Sequence, residues 1–176
     1  GLPLAAAFAK QFDVVGFDIN SERVAELRNG HDRTLELEDA DLAAATRLTF
    51  SDDPASLKDV NVYIVTTPTP IDEHKRPDMG AVLGATRSVA SSLSRGDVVI
   101  YESTVYPGAT EEECVPLLEA LSGLTYNEDF FVGYSPERIT PGDKEHRFET
   151  ITKVTAGSTP ESAQFIDQLY RSVVTA

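Results

Sequence analysis

The chain has 176 residues, 41% hydrophobic and 25% charged, which is enough for one folded domain with a real core. Its 29 acidic and 15 basic side chains give a formal charge of −14, so nucleic acid and an anionic membrane surface would be repelled, although a local site can still oppose the global sign and hold an anionic small molecule. One cysteine, Cys114, excludes an internal disulfide, and no apolar run approaches the ~20 residues of a membrane helix. A reducing cytoplasm is the expected setting.

In GLPLAAAFAKQF, residues Leu2, Leu4, Ala5, Phe8 and Ala9 fall near helical spacing, which predicts a helix over 1–11. It starts with no cap, no initiator Met and no preceding strand, so the chain is expected to be cut at its front. VVGFDI (14–19) reads as a buried strand, and SERVAELRNG (21–30) as a helix between a Ser cap and a Gly stop. A polar, acidic stretch with a short helix leads to LTFS (48–51), a short strand, and DPASLKDV reads as a helical turn. VNVYIVTT (60–67) is a strand, and PTPIDEHKRPD (68–78), with three prolines, is a loop. A helix over 79–96 closes on Gly96, a strand follows over 97–104, then the turn YPGAT and a helix over 111–122. DFFVGYS (129–135) and TKVTAGS (152–158) read as strands, and 159–173 as a capped helix.

Strands alternate with helices, and their apolar runs are continuous rather than alternating. A parallel sheet covered on both faces reads that way, so the fold class is α/β, doubly wound and mostly parallel. Ligands of such sheets bind outside the carboxyl ends of the strands. The polar residues that follow each strand are therefore the candidates: Asp18, Thr66 and Thr67, Ser103 and Thr104, and Ser135 with Glu137.

An acid after the second strand of a dinucleotide-binding unit accepts hydrogen bonds from the adenine ribose and disfavours a 2′-phosphate, so Asp18 points to NAD rather than NADP. The alternative is that Asp18 only caps the helix at Ser21. Thr66-Thr67-Pro68-Thr69-Pro70 offers hydroxyls on a loop held open by prolines, or is merely a rigid turn. Glu137 has the apolar run DFFVGYSP on one side, which suits a general base; a surface pair with Arg138 is the alternative. His31, His74 and His146 lie in polar segments and read as solvated, Cys114 reads as core, and Glu111, Glu112 and Glu113 as a solvated helix start.

Gly1-Leu2-Pro3-Leu4-Ala5, Asp18, Val65-Thr66-Thr67-Pro68-Thr69-Pro70, Glu102-Ser103-Thr104-Val105 with Pro107-Gly108, and Ser135-Pro136-Glu137 occur in this order and spacing. Together they resemble the nucleotide-sugar 6-dehydrogenases of the UDP-glucose/GDP-mannose dehydrogenase family over essentially the whole chain. The resemblance implies that residues 1–176 are a Rossmann-type NAD-binding domain whose first strand, central helix and UDP-sugar domain lie outside the chain. Gly1 would be the third glycine of the fingerprint with Leu2 beside it, Asp18 the ribose acid, and Arg23 a basic residue near the cofactor. Thr66, Thr67, Pro68, Thr69 and Ser103 would line the cofactor, and Thr104 would lie near the nicotinamide and the reacting carbon. The family oxidises a primary alcohol at C6 to a carboxylate in two hydride steps, through an aldehyde captured by a cysteine. Glu137 would act as general base or position the water that releases the thioester, with Thr104 holding the same water.

UDP-glucose and GDP-mannose enzymes continue P-E-F-L-x-E, whereas this chain reads Pro136-Glu137-Arg138-Ile139-Thr140-Pro141-Gly142. That form resembles the branch acting on UDP-N-acetylhexosamines, and Asp143-Lys144-Glu145-His146-Arg147 resembles enzymes of Vi-antigen and O-antigen synthesis. The resemblance thus implies a UDP-N-acetylglucosamine or UDP-N-acetylmannosamine substrate, Glu137 and Arg138 as substrate contacts, and a homodimer or larger homo-oligomer; no Cys/His cluster has zinc spacing, so no metal is expected. Cys114 does not match the family's cysteine, so this chain alone is expected not to turn over sugar. Alternatives are a UDP-glucose 6-dehydrogenase, a hydroxyacid dehydrogenase of the 6-phosphogluconate type, and a non-catalytic NAD-binding module.

Overall fold

The computed structural model describes residues 1–137 and 148–175. They fall into two compact units. The described residues of the first are 1–56, 148–152 and 169–175; the second comprises Leu57–Glu137 and Lys153–Gln168.

In the first unit, α1 (Leu2–Phe8) starts at Gly1 with Pro3 in its opening turn, where a missing N–H costs nothing. Strand β1 (Val14–Phe17) pairs in parallel with β2 (Leu48–Ser51), Val14 opposite Leu48. Between them lie α2 (Ser21–Arg28) and α3 (Asp39–Ala44). Asn20 caps α2 by accepting the Arg23 N–H at 3.1 Å. Leu4, Phe8, Val24, Leu27 and Leu48 are buried, and Phe8 meets Tyr170 edge-on at 5.5 Å.

The second unit is a four-stranded sheet in the order β3 (Val62–Val65), β4 (Val98–Tyr101), β5 (Phe131–Tyr134), β6 (Ala156–Gly157). The first three strands are parallel, and β6 runs antiparallel to β5. Every residue of β4 is buried, as its VVIY sequence requires of a central strand. Helices α4 (Gly80–Ala90), α5 (Val115–Ser122) and α6 (Pro160–Arg171) accompany this sheet.

The α/β, mostly parallel class is as expected, but the strands stop short of their predicted ends. β3 stops at Val65 and β4 at Tyr101, so the polar residues 66–67 and 102–104 lie beyond the ladder. The helix expected over 111–122 divides into a π-helical turn, Thr110–Cys114, and α5. Pro116 explains the break, because it has no N–H for the carbonyl four residues back. The strand expected over 152–158 is only two residues long and antiparallel. The helix expected to reach Gly96 ends at Ala90, its last turn followed by a Ser91 hydroxyl bonded to the Ser88 carbonyl.

Candidate functional site

In the first unit the site residues gather at the start of α1 and the carboxyl end of β1. Gly1 is exposed at the N-cap of α1, and Leu2, its first residue, is half-buried. Asp18 is exposed directly after β1. Its Oδ1 accepts the Asn20 N–H at 2.9 Å, and Asn20, not Asp18, caps the helix. A carboxylate held upright in this way only accepts hydrogen bonds, so it suits a ribose diol and repels a 2′-phosphate.

Arg23, on α2 five residues after Asp18, is held by two carboxylates. Its guanidinium bonds Glu26 at 2.9 Å and Asp32 at 2.8 Å, and the side chain is only 12% exposed. Asp32 was not singled out by the sequence, yet it organises residues 32–37. It accepts from the Thr34 hydroxyl at 2.6 Å, from the Thr34, Glu36 and Leu37 N–H groups at 3.0 Å, and from Arg23. Burial works to raise its pKa, but the Thr34 hydroxyl, the Leu37 N–H and the Arg23 guanidinium overcome it and hold the carboxyl well below the usual range.

In the second unit the exits of β3, β4 and β5 are stitched together. Ser103 is buried, and its hydroxyl donates to the Thr67 carbonyl at 2.7 Å. With that proton committed, the 3.3 Å contact between the two hydroxyls has Thr67 as donor. The Thr69 hydroxyl donates to the Thr104 carbonyl. Thr66, Pro68 and Thr104 are exposed, while Thr67 and Thr69 are half-buried. Ser103 thus braces the loop from beneath, and Thr104 stands above it in the open.

The exit of β5 carries Ser135, Pro136 and Glu137. Ser135 is fully buried, donating its N–H to the Tyr101 carbonyl at 3.0 Å and its hydroxyl to the Val154 carbonyl at 2.8 Å. Glu137 is exposed, two residues further on. Arg138, the Pro141-Gly142 turn and Asp143 to Arg147 lie outside the described residues. After the β4 exit, the Tyr106 hydroxyl donates to Glu113, which pushes the phenol up to about 12. Cys114 is 1% exposed, and burial pushes its thiol up, so it is the inert core residue expected rather than a nucleophile. No group of three metal-ligating side chains occurs among the described residues. Nor is any helix among them long and apolar enough to cross a membrane.

Sequence reasoning missed Lys153. Its Nζ reaches a carboxyl oxygen of Glu102 at 3.0 Å and the Pro136 carbonyl at 3.2 Å. The signal in the sequence is faint, a lone lysine beside a strand, because its partners lie 51 and 17 residues away in the chain.

Parallel strands whose polar residues collect at their carboxyl ends, with an acid after β1, define a dinucleotide-binding protein. Residues 1–174 match the NAD-binding domain of the UDP-glucose/GDP-mannose dehydrogenase family, and the chain belongs to that family, with NAD as its cofactor. It is 61% identical over its whole length to a UDP-N-acetyl-D-glucosamine 6-dehydrogenase of Pseudomonas aeruginosa and 52% to one of Salmonella typhi. It covers 42% and 41% of those two proteins, so it spans about two-fifths of the curated relatives it matches. The UDP-D-ManNAc dehydrogenase of Pyrococcus horikoshii superposes with a TM-score of 0.92 at 36% identity, over all of this chain and 43% of that one.

Proposed function

We propose that the chain is the cofactor-binding part of an NAD-dependent UDP-N-acetylhexosamine 6-dehydrogenase, which oxidises the C6 alcohol of its sugar to a carboxylate for polysaccharide precursors. The observation that carries this reading is the knitting of three adjacent strand exits, through Thr67 and Ser103, Thr69 and Thr104, and the Ser135 N–H on the Tyr101 carbonyl. It leaves Thr104 and Glu137 exposed just beyond the neighbouring strands β4 and β5. The relatives named for UDP-N-acetyl-D-glucosamine support the sugar class.

In this reading Asp18 accepts the ribose hydroxyls of the cofactor, and Thr66, Thr67, Pro68 and Thr69 shape the loop beside its other half. When bound, NAD supplies the hydride acceptor for both oxidation steps. Glu137 takes a proton from the attacking water during the last, hydrolytic step, and the Thr104 hydroxyl orients that water. The buried Cys114 takes no part. Arg138 follows Glu137 directly and is assigned to the sugar nucleotide. NAD chemistry suits a cytoplasmic enzyme, and we assign it as a homodimer or larger homo-oligomer.

The test is NADH formation by the full-length protein from UDP-N-acetylglucosamine, UDP-N-acetylmannosamine and UDP-glucose, with Glu137→Gln as control. We expect turnover of an N-acetylhexosamine substrate, and a fall in kcat of at least about a hundredfold in the variant. Preference for UDP-glucose would overturn the sugar assignment, and full activity of Glu137→Gln would remove its catalytic role.

A further inference from the structure

Lys153 and Glu102 are each 2% exposed in their side chains and lie 3.0 Å apart. Burying an ammonium and a carboxylate forfeits their hydration, and an apolar pair of the same volume often stabilises a fold as well or better. A buried pair at this place therefore calls for a reason other than stability, and its surroundings supply one. Glu102 is the first residue beyond β4 and directly precedes Ser103 and Thr104. The same Lys153 ammonium donates to the carbonyl of Pro136, whose next neighbour is Glu137.

The topology shows why a lysine is needed. Lys153 lies on the segment leading into β6, and β6 is separated from β4 by β5. Two strand spacings are about 9.5 Å. Spanning them takes a long side chain from one side and a glutamate from the other. The backbone beside Lys153 is itself fixed, because the Val154 carbonyl accepts the Ser135 hydroxyl at 2.8 Å. Glu102 and the Pro136 carbonyl thus engage the ammonium with directional bonds, one from each strand exit.

We propose that Lys153 is a positioning residue: it pins the exits of β4 and β5 at a fixed separation and thereby sets the distance between Thr104 and Glu137. The inference rests on the reading of those two residues as the reacting pair. Two directional bonds to one cation fix relative position more sharply than apolar packing does, and misplacement of a reacting group by about 1 Å can cost a hundredfold in rate.

The test uses the full-length protein with Lys153→Met, which keeps an unbranched stem without the charge, and Lys153→Arg, which keeps a cation with several donors. For Lys153→Met we expect kcat to fall between about tenfold and a hundredfold while KM for NAD changes less than about twofold, with most of the loss recovered in Lys153→Arg. Amide hydrogen exchange should rise at residues 103–105 and at Ser135 and Glu137, but not within β3. Unchanged kcat in an active background, even with a lower Tm, would overturn the proposal, as would unchanged exchange at the two exits. If the wild type reduces NAD with none of the UDP-sugars, the functional reading fails by itself, and the exchange data still decide the clamp. Should Lys153→Met not fold, Glu102→Gln, which keeps shape and drops the charge, takes its place in the same comparison.

Discussion

At the scale of single residues, Asp32 is the side chain with most depending on it. It is 1% exposed and receives hydrogen bonds from Thr34, Glu36, Leu37 and Arg23. Asp32→Ala should cost about 3 kcal/mol, since it removes one of the two carboxylates on the Arg23 guanidinium and takes the acceptor from the Thr34, Glu36 and Leu37 N–H groups. The pH dependence has a definite sign. The folded carboxyl titrates below its unfolded value of about 3.9, so its contribution is complete above that pH and is lost as pH falls towards the folded pKa. Urea unfolding between pH 7 and pH 3 should show the wild type losing stability more steeply than Asp32→Ala. Parallel curves would show that Asp32 contributes nothing by its charge. Arg23 shows what a sequence conceals here. Its position five residues after Asp18 is visible, but its engagement by Asp32 depends on how residues 30–37 turn back.

At the scale of elements, α6 can approach the sheet only because the residues beneath it lack side chains. A Cβ on Gly157 would meet the backbone N and Cα of Ala163, and one on Gly133 would meet Ile166 and the Ala156 carbonyl. Gly157→Ala should destabilise by about 2 kcal/mol through overpacking against backbone that cannot give way, read as a lower urea midpoint at unchanged slope. An unchanged midpoint would mean that α6 shifts without cost.

The parallel strands were legible because VVGF, VYIV, VVIY and FVGY are short apolar runs bounded by polar residues or turns. The order of motifs likewise marked Asp18, Thr67, Thr104 and Glu137 as strand-exit residues, and each stands just beyond the end of a strand. Less was readable where distant parts of the chain decide. The division of 110–122 follows from a proline inside a helical pattern, a rule that fixes the break but not the wider turn that accommodates it. The Lys153 and Glu102 pair and the two-residue length of β6 depend on which strand lies beside which, and apolar periodicity does not carry that information.

At the scale of the whole molecule, NAD should stabilise the protein by mass action, by about 2.7 kcal/mol at a hundred times its Kd. Thermal unfolding of the full-length protein should show NAD raising Tm more than NADP at equal concentration, and Asp18→Ala should shrink that difference. Equal shifts in the wild type would remove Asp18 from the ribose. The acidic balance of the chain, −14 overall, acts in the same direction against the extra phosphate.

The brevity of β6 reaches beyond the site. A flank of only two residues, running counter to its neighbour, offers an intruding polypeptide a couple of amide contacts at most on that side. Crowded copies of this protein thus find little there to zip onto, which disfavours fibril growth from that border even at high expression.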